Sequence, residues 1–262
     1  MSNFWAILKK ELLTLFVSPI AYVVLAIFFA ITGFTFNGIA QQIIEGVNLR
    51  GFQAQQMGQA FQGVDVPYLI IGSFFGFVST VLLFLAPMIT MGVFAEERKQ
   101  GTLELLFTSP LTHLQLILGK YGAQMLFLML LMAPSMLNAL IIYFYSSPTP
   151  PPGPLLSAFL GVLLFGGALL ALGMCVSSLT QSQIIAAVGT FGIILSLLLF
   201  RALSDAGSGI INQVVRYLSL MDHYDEFSRG VIDTQHVVFY LSFIFLGLFL
   251  TSVSLDSAKW RQ

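Results

Sequence analysis

The stretch Phe94-Ala-Glu-Glu-Arg-Lys-Gln-Gly-Thr-Leu-Glu-Leu-Leu-Phe-Thr-Ser-Pro-Leu-Thr112 decides how the chain is read. It concentrates Glu96, Glu97, Arg98, Lys99 and Glu104 in a sequence of which only 9% is charged. Long apolar runs precede and follow it. Gly101 suits the end of a helix that carries Glu96–Lys99. Thr102 can cap a new, short helix with Glu104 in its first turn. Leu103, Leu105, Leu106 and Phe107 give that helix an apolar face, and Ser109-Pro110 stops it. Thr112-x-x-Gln115 is a capping-box pattern that opens the next long helix. The reading is a short cross-lying helix with charged ends. It is either a solvated connector resting on a membrane or a knob that docks in a groove on a soluble partner.

Outward from this stretch the chain is 57% hydrophobic, whereas soluble domains carry roughly 25% charged residues. A soluble enzyme or a disordered chain is excluded, and the surplus apolar surface must face lipid. Runs long enough to span occur at about 19–36, 67–94, 114–145, 155–176, 184–200 and 236–255. The expected fold is therefore an all-α polytopic membrane protein, a single transmembrane domain over 1–262 with six transmembrane helices. Residues 3–17 read as an N-terminal amphipathic interfacial helix, with Phe4, Trp5, Leu8, Leu12, Leu15 and Phe16 on one side and Ser18-Pro19 ending it. Six spans place both termini on one side. That side collects Lys9, Lys10, Arg98, Lys99, Lys120, Lys259 and Arg261, against Arg50, Arg201, Arg216 and Arg229 opposite. The bias puts both termini in the cytoplasm. On the other side, 41–63 reads as a polar, mobile loop, SSPTPPPGP at 146–154 as a stiff turn, and 204–234 as short helices on the outer rim.

The chain carries little chemistry of its own. A phosphate-binding loop needs Gly, four residues, then Gly-Lys-Ser/Thr. The only Gly-Lys pair, Gly119-Lys120, has Leu114 and Tyr121 at the flanking positions, so Lys120 reads as a snorkelling residue. His113, His223 and His236 are scattered, no metal site is expected, and Asp222-His223-Tyr224-Asp225-Glu226 reads as a solvated outer loop. A net charge of −1 speaks against a nucleic-acid partner. Lone Cys175 reads as small filler. The core of span two, and spans four and five, hold no charged residue, which argues against proton-coupled transport. Packing or path positions are expected at Gly72 and Gly76, at Gly166-Gly167-Ala168, and at Gly189 and Gly192. Pro134 should kink span three, with Asn138 and Ser135 beside it.

FAEERKQGTLELLFTSPLT closely resembles the signature segment of type-2 ABC transporter permeases. KKELLTLFVSPIAYV near the N-terminus, SSLTQSQ at 177–183 and DEFSRGVIDTQHVVFYLS at 225–242 agree, and the resemblance covers essentially the whole chain. It is closest to gliding-motility-type permeases, with nitrous-oxide-cluster permeases nearby. The resemblance implies that the segment after span two is a coupling helix inserting into a cytoplasmic ATPase subunit, with Glu96, Glu97, Arg98, Gly101, Thr102, Glu104, Ser109 and Pro110 at the contact. Ser177, Ser178, Thr180, Gln181, Ser182 and Gln183 would make a smaller one. It further implies a plasma (bacterial inner) membrane protein, a second permease chain, and room for an extracytoplasmic accessory protein. No cofactor is bound by this chain, ATP and Mg belonging to the partner. The implied function is transport, usually export, by a subunit that is not itself an enzyme. An ATP-independent channel or carrier, or a membrane anchor of a motility or secretion complex, stands as the alternative.

Overall fold

In a computed structural model, residues 2–58, 60, 64–102, 112–147, 150–204 and 217–259 are described. Among them all regular structure is helical: α1 (Ser2–Val17), α2 (Pro19–Gln56), α3 (Val66–Thr90), α4 (Ala95–Lys99), α5 (His113–Tyr145), α6 (Pro152–Leu179), α7 (Gln183–Ser204), α8 (Leu220–Ser228) and α9 (Thr234–Lys259). Local signals set most boundaries. Pro19 cannot continue α1, and the Ser18 hydroxyl accepts from the Ile20 amide at 3.3 Å to start α2. Residues 2–17 thus form a helix of their own, not the first turns of the span. Asp65 caps α3 through the Tyr68 amide at 3.1 Å. The capping box at α5 forms as expected, Thr112 and Gln115 exchanging bonds of 3.3 and 3.4 Å. Gly101 ends the segment after α4 in the left-handed region at φ 67°.

Among the described residues five stretches are long and apolar enough to cross a membrane: Pro19–Gln56, Val66–Lys99 (α3, its following turn and α4), His113–Tyr145, Pro152–Leu179 and Thr234–Ser257. The sixth expected span falls on α7, whose apolar part, Gln183–Leu199, is shorter. Two expectations change. Residues 41–56, read as loop, continue α2 as helix, giving 38 residues and a length of about 57 Å at 1.5 Å per residue. A hydrocarbon layer is about 30 Å thick, so this helix must project well beyond it. Its glycines weaken a helix without breaking it, its glutamines are good helix formers, and no Pro interrupts the run. Second, α3 stops at Thr90 and passes through a turn at 91–94 before α4, rather than running straight to Phe94. The short helix expected from Thr102 falls on 103–111, outside the described residues.

The bundle is organised around α6. It packs against α3, α5, α7, α8 and α9, and its small residues explain the closeness. A Cβ at Gly161 would stand 2.5 Å from Phe227, one at Gly166 2.7 Å from Leu128, and one at Gly173 would collide with the Thr90 side chain. Gly247 of α9 faces the Ala171 backbone at 2.9 Å in the same sense. Phe28, Phe74, Phe75, Phe127, Phe165 and Tyr240 fill the space between helices with no exposed surface to speak of.

A short helix, α8, closes one end of the bundle. The expected solvated cluster is instead half core: His223, Tyr224 and Phe227 are buried while Asp222, Asp225 and Glu226 turn outward to differing degrees. Tyr240 donates to the Leu220 carbonyl at 2.7 Å, Ser157 to the Phe227 carbonyl at 3.0 Å and Tyr68 to the Arg229 carbonyl at 2.9 Å. Residues 205–216 of the expected rim lie outside the described residues.

Candidate functional site: a charged joint at one end of the bundle

The opposite end carries the densest polar construction among the described residues. Lys120, the eighth residue of α5, is 2% exposed. Its ammonium donates to Glu97 Oε1 at 2.8 Å, to Glu11 Oε1 at 3.0 Å and to the Val93 carbonyl at 3.0 Å. It also stands 5.2 Å from the centre of the buried Phe94 ring. One side chain thereby joins α1, the turn after α3, α4 and α5. The snorkelling reading of Lys120 is wrong: the amine points into protein, where three acceptors replace water. A charge so buried is tolerable only with partners of this kind. Lys10 sits on the solvent side of the same two carboxylates, at 3.4 Å from Glu11 and 3.5 Å from Glu97. Partial burial works against its charge, but Glu11 and Glu97 outweigh that and raise its pKa.

A second tie comes from α6. The Ser177 hydroxyl accepts from the Phe94 and Ala95 amides at 3.1 and 3.2 Å and donates to the Met91 carbonyl at 3.0 Å. These are the backbone groups that the break between α3 and α4 would otherwise leave unpaired. A third comes from α7, where the Gln183 amide donates to Glu96 Oε2 at 3.0 Å. Helix α4 has five residues and is held by four other helices.

This geometry sorts the residues expected to contact a partner. Glu96, Gly101 and Gln181 are exposed; Arg98, Thr102, Thr180, Ser182 and Gln183 are partly so. Glu97 faces inward at 15% side-chain exposure, committed to Lys120. Ser177 and Ser178 are fully buried, Ser178 donating to the Cys175 carbonyl and its own carbonyl accepting from Ser254. They have no surface to offer a partner. Glu104, Ser109 and Pro110 lie outside the described residues. Of the packing positions, Gly72 approaches the Ser228 carbonyl, with 3.1 Å left for a Cβ, and Gly189 approaches Val176. Gly76 and Gly192 face open space. Pro134 lies within α5, with Ser135 buried beside it and Asn138 half-buried one turn on.

Sequence reasoning missed Glu11 and Lys120 as a pair. The signal was present: each is an isolated charge on an otherwise apolar face, Glu11 between Leu8 and Leu15 and Lys120 between Ile117 and Ala123.

Between α1, the start of α2 and the α3–α4 turn lies a cleft of about 450 Å³. The Lys10, Glu11, Glu97 and Lys120 cluster lines one end and Ala21, Val24, Met88 and Phe127 the other.

Comparison with known proteins bears on the whole bundle. Residues 5–255 match the family described as ABC-2 family transporter protein. Over 128 residues, 49% of this chain, the sequence is 27% identical to a probable multidrug ABC transporter permease, YbhR, of Escherichia coli strain K12, and equally to that of strain O157:H7. The match spans 33% of the length of those relatives. With the family match running through every helix described above, this chain belongs to the ABC-2 family of transporter permeases.

Proposed function

We propose that this chain is the membrane-spanning subunit of an ABC exporter, driven by ATP hydrolysis in a separate cytoplasmic subunit that binds the segment 95–112. The observation that carries the proposal is the Lys120 joint. A lever is useful only if it is fastened to what it must move, and α4 is fastened to α1 and α5 by Lys120, to α6 by Ser177 and to α7 by Gln183. Displacement of α4 by a partner bound at 95–112 would reach those helices as one motion, since packed cores shift between discrete arrangements. In this reading α7 completes six spans, and both termini are cytoplasmic in a bacterial inner membrane. The open faces at Gly76 and Gly192 are where a second permease chain packs. An extracytoplasmic accessory protein would meet the end closed by α8 or the projecting part of α2. ATP and Mg would be bound by the ATPase alone. Resemblance of the 94–112 and 225–242 segments supports a place near the gliding-motility and nitrous-oxide-cluster permeases.

The test is copurification with an ABC ATPase subunit from the same organism, followed by ATP hydrolysis and transport in proteoliposomes. Glu96→Lys, on the exposed side, should lower ATPase binding at least tenfold while the permease stays folded. Transport that persists without the ATPase would overturn the proposal in favour of an independent channel or carrier. ATPase binding with no cargo moved for any amphiphile tested would favour an anchoring role.

A further inference from the structure

We infer that the cleft between α1, α2 and the α3–α4 turn is a binding site for a single-chain amphiphile with a cationic, ammonium-type head. The inference is independent of whether an ATPase drives this chain. At about 450 Å³ the cleft is within the range of small-molecule sites. Its two ends differ in kind. Ala21 and Phe127 are nearly fully buried and, with Met88, form an apolar floor. The other end presents the carboxylates of Glu11, Glu96 and Glu97 and the ammonium groups of Lys10 and Lys120.

Charge decides the head group. Three carboxylates face two ammonium groups, so that end is net negative. Both ammonium groups are already committed to Glu11 and Glu97. Glu97 Oε2 is buried with no hydrogen-bond donor among the described residues. Among the described residues Glu96 receives neutral amide donors alone, from Gln100 at 3.2 Å and Gln183 at 3.0 Å. The site therefore keeps acceptor capacity on Glu96, while the Lys120 ammonium is fully committed and Lys10, 58% exposed, keeps donors toward solvent. An anionic head could reach Lys10, but it would do so against the three carboxylates of the same lining. An ammonium head would meet the exposed Glu96 carboxylate, which carries no cationic partner among the described residues. The occupant is either an amine-bearing membrane lipid or an alkylammonium compound from solution, since both bring the same head to the same floor.

The experiment uses the full chain in phosphatidylcholine nanodiscs, with native mass spectrometry to count bound molecules. Dodecylammonium should bind saturably and at least tenfold more tightly than dodecyl sulfate. Glu96→Gln, at an exposed position, should shrink that preference at least threefold. Ala21→Phe should fill the floor and remove the saturable binding. Met88→Trp, at a position already 41% exposed, does the same with little risk to folding. Each variant is checked for an unchanged melting temperature. An amine lipid carried through purification by the natural chain and lost from Met88→Trp identifies the lipid as occupant; dodecylammonium uptake without such a lipid identifies the soluble compound. Equal affinity for the two head groups, or binding undiminished in both filled variants, would overturn the inference.

Discussion

Replacing Lys120 with Met tests the joint most directly. Met keeps the length and apolar stem but removes the ammonium, leaving Glu11 and Glu97 facing each other at 15% exposure. Removing one partner of a buried ion pair costs about 3–5 kcal/mol, because the remaining charge is stranded. Lys10, at 3.4 and 3.5 Å from the same oxygens, remains as a partly solvated substitute, which places the cost near the low end, about 3 kcal/mol. Since about 1.4 kcal/mol is a factor of ten, local opening of α4 should become on the order of 100-fold more frequent. Hydrogen exchange reads this at the Arg98 and Gln100 amides, which bond to the Phe94 and Glu96 carbonyls at 2.9 and 3.0 Å. Adding Glu11→Gln and Glu97→Gln to Lys120→Met removes the stranded charges and should recover most of the loss. Exchange accelerated less than about fivefold, worth about 1 kcal/mol, would refute the view that this residue holds α4. So would a triple variant no better than the single one.

Ser177→Ala removes the acceptor for two buried amides and should cost about 1–3 kcal/mol, seen as a lower melting temperature and faster exchange at Phe94 and Ala95. Gly173→Ala drives a methyl into Thr90 and should cost about 1–3 kcal/mol. Gly192→Ala, with nothing within 4 Å, should stay within about 0.5 kcal/mol; equal effects in unfolding titrations would show the helix spacing to be wrong. At the other end His223 and His236 meet through Nδ1 atoms 2.6 Å apart, and His223 also bonds the Tyr217 carbonyl at 2.8 Å. Burial holds the His223 pKa below its usual value, His236 adds to that, and the Tyr217 carbonyl and Asp222 oppose it without prevailing. The unfolded chain then binds more protons between the lowered value and the ordinary one of about 6.5. Stability from this contact is complete above that ordinary value and is lost as the pH falls toward the lowered one. Melting temperatures between pH 8 and 5 should decline on the acid side, and His223→Gln should flatten the decline; an unchanged slope would remove His223 as its source.

Much of the framework was legible because it rests on local signals. Apolar run length marked the membrane segments. Ser18-Pro19 separated α1 from α2, Gly101 took the left-handed conformation its position required, and Thr112 with Gln115 closed the expected capping box. The family resemblance, carried by the 94–112 segment, agrees with the match over 5–255. Residues 41–56 misled because polarity was used where continuity mattered: glutamine suits a helix, glycine only weakens one, and a breaker such as proline is absent.

The sequence by itself determined that this chain is a helical membrane protein of the ABC-2 family with a charged segment between its second and third long helices. Only the tertiary structure decided what those charges do. Glu11, Glu97 and Lys120 are 109 and 23 positions apart along the chain and meet through helix packing that no local pattern encodes. The same holds for α6, whose glycines matter through Phe227, Leu128 and Thr90 on three other helices. A residue's type restricts the partners it can accept; whether it meets water, lipid or a buried carboxylate depends on which helices the fold brings beside it.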